Sequence, residues 1–352
     1  NYDTLPDASK WTIILGSFLL IGFLFVFLPI YQAQRYPERL FEETNFKQPH
    51  PETIGLLSVR SFWQVYRQGI LVFFQSLGAI IRPVFSLAGS IGIGLIALRA
   101  FLYPEDLTFV YWFDWASHFS FMLGYAFSTP IDLFISILWV GLFAYIFLVV
   151  YHYLLIKSGL TNMSWNTYVR KMFLRSSIVF LILLLPIYLL PWYVLLPTVV
   201  IYPFLLYLPF SITYPNHSIK QGIKKGFKYG ARSYITLFIL SLLGLATVAV
   251  VFQPIAFVIS IENEVPDLLD LIVKGISPFL DKAGLDSVFW TNLFREFTYL
   301  IALIFSLVFW FILLTLSYFS TLEKREALNL KKEGRHFGER SRLKEYIETE
   351  GE

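Results

Sequence analysis

Long apolar runs, each about the length of a membrane-crossing helix, recur along the whole chain. The first, residues 11–31, carries no charged residue and reaches the roughly 20 residues that a transmembrane helix needs. Hydrophobic residues make up 56% of the 352 residues and charged residues 15%, with a mean hydropathy of +0.62. A soluble core of this size would not bury so much apolar surface. The sequence therefore predicts an all-α, polytopic transmembrane helical bundle.

Three short basic segments with a common form precede long apolar runs. We call residues 58–67, 164–173 and 218–232 the first, second and third elbow. They begin at Ser58, Ser164 and Ser218, each a candidate N-cap, and continue as a basic amphipathic turn or two. In the third elbow apolar residues recur every four positions, which is typical of a helix that lies in a membrane surface.

The basic residues of the third elbow could attract anionic lipid, although the positive-inside rule alone also accounts for them. They are Lys220, Lys224, Lys225, Lys228 and Arg232. Gly222, Gly226 and Gly230 recur at four-residue spacing without the strand-turn-helix context of a phosphate-binding loop. We expect these glycines to let the elbow pack closely on another helix.

The distribution of Lys and Arg predicts the orientation. Segments 32–68, 157–175, 214–233 and 321–352 contain 22 of the 28 basic residues, and the positive-inside rule places them in the cytoplasm. About seven spans follow, with the N-terminus outside and the C-terminus cytoplasmic. We expect an N-terminal helix with a linker (1–52), a membrane domain of three hairpins (53–320), each preceded by a cytoplasmic elbow, and a charged tail (321–352). The alternative to three similar hairpins is that the elbows resemble one another only because any cytoplasmic loop that enters a membrane is basic and amphipathic.

Arg82 is the sharpest single candidate for function. The apolar run 69–103 overshoots one span and Arg82-Pro83 interrupts it, which predicts a kink or a change from an interfacial to a spanning helix. Arg82 is then either an intramembrane functional residue or an interfacial anchor that reaches lipid phosphate. Arg99, near the outer end, is expected to be an anchor. Ser86, Ser90 and Gly94 form a small-residue face that favours close helix packing.

Catalytic chemistry has little support in the sequence. The five histidines form no recognisable metal-ligand pair, and the absence of cysteine excludes disulfides and a Cys nucleophile. Asp114 and His118, in an aromatic outer segment, could share a helical face as a proton relay, or simply form an interfacial hydrogen bond. We predict no catalytic residue, cofactor or metal, and no nucleic-acid partner.

The second hairpin, which follows the second elbow, is rich in proline. Five prolines from Pro191 to Pro215 recur every six residues, and each interior proline removes a backbone hydrogen bond. The hairpin is either a mobile, broken element of the kind that transporters use or a static, curved packing helix.

The pattern of serine, basic amphipathic helix and long span, clearest at Ser218-Ile-Lys-Gln-Gly-Ile-Lys-Lys-Gly-Phe, resembles uncharacterised bacterial polytopic families akin to the membrane domain of glycerophosphodiester phosphodiesterases. The resemblance covers about residues 58–324. It implies a multi-pass protein of the bacterial inner membrane and brings no catalytic residues, because the soluble phosphodiesterase domain is absent.

Three functions follow as hypotheses. The first is a non-enzymatic accessory or scaffold subunit of a larger inner-membrane complex, with other membrane subunits, the lipid bilayer and anionic lipids as partners. The second is a transporter or permease that uses Arg82 and the proline-rich hairpin. The third is a lipid-handling enzyme, for which Asp114 and His118 are the sequence's only acid-base pair.

Overall fold

The described part of the protein is helical. The computed structural model describes residues 56–103, 130–189, 202–215, 217–244 and 287–326. Its helices are α1 (Phe62–Val84), α2 (Ser90–Leu102), α3 (Pro130–Lys157), α4 (Trp165–Leu189), α5 (Leu208–Thr213), α6 (Ile219–Arg232), α7 (Tyr234–Gly244) and α8 (Ser287–Glu326). A π-helical turn, Phe85–Gly89, joins α1 to α2. No strand occurs among these residues, so the all-helical prediction is confirmed there.

Three stretches of the described helices are long and apolar enough to cross a membrane. They are Phe62–Leu102, Pro130–Lys157 and Glu296–Glu326, of 41, 28 and 31 residues. The first is about twice the roughly 20 residues that one span needs. The predicted N-terminal span, the aromatic segment, residues 190–201 of the proline-rich hairpin, residues 245–286 and the charged tail beyond Glu326 lie outside the described residues.

Serine caps start two of the elbow helices. Ser218 accepts a hydrogen bond from the Gln221 backbone N–H, and the Gln221 side chain accepts one from the Ser218 N–H, which forms a capping box. The first elbow helix uses the same motif at Ser61 and Gln64. The prediction of Ser58 as its cap was therefore wrong by one turn, because only Ser61 has a glutamine three residues later.

The helix interruption predicted at Arg82-Pro83 is present as the π-helical turn that starts at Phe85. A π-helical turn disturbs the regular N–H to carbonyl pattern of a helix, so carbonyl oxygens beside it can accept from side chains. The Pro83 carbonyl accepts hydrogen bonds from the Tyr145 hydroxyl (3.2 Å) and from Ser86 (3.0 Å). The rings of Phe73 and Phe85 both contact Phe305, although about 18 Å of straight helix would separate them. The chain therefore changes course between them.

The long helices form an antiparallel arrangement with two distinct ends. At one end, Ser320 of α8 accepts a hydrogen bond from the Arg60 N–H (2.8 Å), just before α1 begins. At the other end, Phe101 of α2 contacts Trp290 of α8. We call these the elbow end and the far end. Because α3 begins beside α2 at the far end and finishes near Phe319 of α8, α1–α2 and α3 form one hairpin that leaves from and returns to the elbow end.

All three elbows gather at the elbow end. The second elbow reaches it because Tyr168, at the start of α4, stacks on His152 near the end of α3. The third elbow reaches it because Lys225 forms a 2.7 Å ion pair with Glu326 at the end of α8. The orientation predicted from the basic residues puts the three elbows on one side of the membrane, and this grouping is consistent with it.

The glycines of the third elbow pack on the preceding chain, as the sequence predicted. A β-carbon built at Gly222 would lie 2.7 Å from Ile212 Cα, and one at Gly226 would lie 2.8 Å from the Leu208 side chain. A β-carbon at Gly230 would overlap the Phe204 carbonyl oxygen. The glycine face of α6 therefore contacts the backbone of residues 204–212 directly.

Candidate functional site

Arg99 lies inside the protein at the far end. Its guanidinium Nη1 is 3.0 Å from Asp132 Oδ1 in the first turn of α3, and the two side chains are 3% and 4% exposed. The guanidinium also lies over the Tyr103 ring, 5.5 Å from its centroid. A buried ion pair of this kind links two helices. Arg99 was expected to be an anchor near the outer end, and in the structure its guanidinium pairs with Asp132 inside the bundle.

Glu296 adds a second buried acidic residue to the same end of the bundle. It is 1% exposed and lies one turn before Leu300, whose side chain meets Gly92 of α2. Tyr299 beside it is also buried. The far end therefore concentrates buried charge between α2, α3 and α8.

Arg82 and the small-residue face lie on the outside of the described bundle. Arg82, Ser86, Ser90 and Gly94 are all exposed. A β-carbon at Gly94 would meet no atom within 4 Å. The face of α2 that packs inward instead carries Gly92, whose β-carbon would lie 3.0 Å from Leu300. Close packing on the Ser86, Ser90 and Gly94 face stays a prediction, because no described helix covers it.

The junction of the third elbow with α8 is a polar network. Lys225 bonds to Glu326, and the Tyr229 hydroxyl donates to the same carboxylate. His217 places Nε2 3.1 Å from the Lys225 ammonium and Nδ1 3.0 Å from the Ser211 carbonyl oxygen. Because an ammonium only donates and a carbonyl only accepts, His217 is neutral with its proton on Nδ1.

The electrostatics of this junction agree with that assignment. Burial is the largest effect and lowers the pKa of His217, and the Lys225 ammonium lowers it further. The hydrogen bond to the Ser211 carbonyl and the Glu326 carboxylate act in the opposite direction and are outweighed. Burial and Glu326 raise the pKa of Tyr229. The network therefore has a fixed proton arrangement near neutral pH.

The outward surface of the third elbow combines exposed cations with exposed apolar side chains. Lys220, Lys224, Lys228 and Arg232 are exposed, and Lys225 is the basic residue of the elbow that turns to α8. Ile219, Ile223 and Phe227 are 48%, 42% and 47% exposed. The apolar surface continues into α7 at Ile235, which is 71% exposed. This surface has the composition of a helix at a membrane interface.

The centre of the described bundle is closed and apolar. Phe147 is fully buried and its ring contacts Phe180, Phe210 and Phe311 from three other helices. A cavity of about 10 Å³ between α3, α8 and the π-helical turn has room for about one water-sized sphere. Its lining is wholly apolar: Ala88, Trp139, Leu142, Phe143, Ile146, Leu300, Leu303, Ile304 and Leu307. An apolar void of this size holds neither water nor a substrate.

The residues that the structure describes contain no arrangement of side chains typical of a catalytic or metal site. No group of three His, Cys, Asp or Glu side chains with metal-binding geometry occurs among them. His152 donates a hydrogen bond from Nε2 to the Met163 carbonyl oxygen (3.0 Å) and stacks on Tyr168, which is a structural role. Asp114 and His118 lie outside the described residues.

No protein-family model, curated protein or solved structure matches this chain.

Proposed function

We propose that the protein is a non-enzymatic, integral membrane accessory or scaffold subunit of a larger complex in the bacterial inner membrane. The closed apolar centre around Phe147 carries this proposal. A carrier needs a polar site near the middle of the bilayer, whereas a scaffold needs rigid packed helices and outward contact surfaces. The described spanning helices have the features of a scaffold. They pack around an aromatic core, and Arg82 and its small neighbours lie on the outside.

We propose seven spans with the elbow end in the cytoplasm. The grouping of all three elbows with the end of α8 supports this orientation, because Arg60, Lys171, Lys224 and Lys324 then lie on one side. The exposed apolar face of the third elbow would rest in the inner surface of that membrane, with its lysines near anionic headgroups.

A transporter is the second candidate, and one observation favours it. The π-helical turn Phe85–Gly89 directly follows Arg82-Pro83, and π-helical turns inside α-helices are frequent at functional sites. A moving helix would use such an irregularity as a hinge. The static contacts of the Pro83 carbonyl with Tyr145 and Ser86 give the same irregularity a structural role.

Gentle detergent extraction of the protein at its native level tests the proposal. Quantitative analysis of the co-purified proteins should find one or more other membrane proteins in a fixed ratio to this chain, unchanged when the detergent is exchanged. A matched extraction of the variant Ile182→Ala, at an exposed position of α4, controls for nonspecific apolar association.

A chain that purifies alone or as copies of itself from several mild detergents would contradict the subunit proposal. Substrate flux through vesicles containing only this chain, lost in Arg82→Ala, would establish the transporter in its place.

A further inference from the structure

Arg82 lies level with the middle of the apolar helix α3. The carbonyl of the next residue, Pro83, bonds to the hydroxyl of Tyr145. Tyr145 stands about midway along α3, between Asp132 at the far end and Lys157 at the elbow end. Arg82 therefore shares a depth with the centre of a 28-residue apolar helix.

The Arg82 side chain is too short to reach water or phosphate from that depth. Half of the roughly 30 Å hydrocarbon core is about 15 Å, whereas an extended arginine side chain reaches about 7 Å from its Cα. An exposed guanidinium left in hydrocarbon costs several kcal/mol even on the most lenient scales. The exposed cation consequently needs an anion that approaches it within the membrane.

The described spanning helices place no carboxylate at this depth. The described spanning helices carry acidic residues only near their ends, at Asp132, Glu296, Glu323 and Glu326. The apolar runs 11–31, 184–201 and 245–261 contain no Asp or Glu at all. No described carboxylate pairs with Arg82. A symmetric contact between the Arg82 faces of two copies would bring two guanidiniums together without an anion, so charge disfavours it.

The surface around Arg82 admits a helix at close range. Gln75 and Gly78 of α1, Ser86 of the π-helical turn, and Ser90 and Gly94 of α2 are also exposed. A β-carbon at Gly78 or Gly94 would meet no atom within 4 Å. The Ser86 and Ser90 hydroxyls already donate to the carbonyls of Pro83 and Ser86, so covering them leaves no unmade hydrogen bond. Small side chains and satisfied hydroxyls are the features of transmembrane helix contacts.

We propose that this Arg82 face, defined as Gln75, Gly78, Arg82, Ser86, Ser90 and Gly94, binds a transmembrane helix of a different protein that carries an Asp or Glu near its middle. The inference rests on the proposed function and specifies the partner's chemistry. The carboxylate pairs with the guanidinium, and the small residues let the two backbones approach.

A designed peptide tests the inference without knowledge of the natural partner. The full chain is reconstituted in phosphatidylcholine vesicles with a Leu/Ala transmembrane peptide that has a central Glu and a small-residue face. An otherwise identical peptide with central Leu is the reference. The chain contains no cysteine, so Val59→Cys, at an exposed position, provides a single dye site for energy transfer to the peptide.

The Glu peptide should bind at least about tenfold more tightly than the Leu peptide, corresponding to about 1.4 kcal/mol. This preference should fall below about twofold in Arg82→Gln, and binding of both peptides should weaken in Ser90→Leu. The control variant Ile182→Ala, on an exposed face of α4, should retain the preference.

Equal binding of the two peptides, or a preference that Arg82→Gln leaves intact, would overturn the inference. A spin label at Arg82→Cys that reports headgroup depth would overturn it in favour of a lipid phosphate anchor. If Arg82→Gln still co-purifies with its membrane partners in the fixed ratio, the subunit proposal stands and this face is not the contact.

Discussion

The Arg99 guanidinium lies 3.0 Å from the Asp132 carboxylate in a position where both side chains are almost completely buried. The two residues belong to α2 and α3, the two arms of the hairpin that leaves the elbow end and returns to it. The pair therefore joins the two arms of that hairpin at the far end. Its loss should lower the stability of the described bundle.

Asp132→Ala should destabilise the protein by about 3 kcal/mol, because it leaves a buried guanidinium without its carboxylate. Thermal unfolding in detergent, followed by the loss of the monodisperse peak in size-exclusion chromatography, measures the effect. Arg82→Gln is the matched control and should change the midpoint little in the isolated chain, because Arg82 is exposed. Equal midpoints for Asp132→Ala and the parent would show that the pair is not structural.

Gly230→Ala should destabilise the third elbow by about 2 to 3 kcal/mol, because the added methyl group would overlap the Phe204 carbonyl. Gly94→Ala is the control, since its β-carbon meets open space, and it should be neutral or stabilising by up to about 1 kcal/mol. Amide hydrogen exchange of residues 217–232 distinguishes the two variants. Equal protection in both would contradict the close contact between α6 and residues 204–212.

Stability should fall as the pH is lowered below about 6.5, and His217 should be one cause. The folded protein holds the pKa of His217 below its ordinary value, so the unfolded chain takes up the proton first and is favoured at lower pH. The slope from one such group is at most about 1.4 kcal/mol per pH unit. Thermal midpoints between pH 8 and pH 5 measure the trend.

His217→Gln should flatten part of that pH dependence. Lys225 and Glu326 face the histidine and remain in place, so a residual slope belongs to other groups. An unchanged slope in the variant would show that His217 does not contribute.

Single cysteines should report opposite sides of the membrane at the two ends of α1–α2. Val59, at the elbow end, is 57% exposed, and Leu102, at the far end, is 43% exposed. An impermeant maleimide added to intact cells should label Leu102→Cys and not Val59→Cys, until the membrane is permeabilised. Labelling of both from the same side would contradict the proposed span.

The sequence predicted those features of the fold that depend on local chemistry. The Ser218 cap, the interruption after Pro83 and the close packing of Gly222, Gly226 and Gly230 were predicted, because each depends on neighbouring residues. The misplaced cap at Ser58 had a usable signal, since Gln64 three residues after Ser61 completes a capping box.

The Arg99–Asp132 pair could not be predicted in the same way. The two residues are 33 positions apart, on different helices, and a single sequence holds no information on which distant charges meet. The periodicity of Ser86, Ser90 and Gly94 indicated a packing face, yet it did not indicate which side of the helix faces the bundle. That choice is made by Gly92 and Leu300, which are in contact only in the folded chain.

The mass of the protein assembly in its own bilayer tests whether this chain is a subunit of a larger membrane complex. Polymer-bounded native membrane discs, prepared without detergent from cells at native expression, are purified through a tag on this chain and weighed particle by particle. We expect one dominant particle that holds this 40.9 kDa chain with at least one different membrane polypeptide in a fixed ratio. Discs that contain only this chain, singly or in multiple copies, would contradict it.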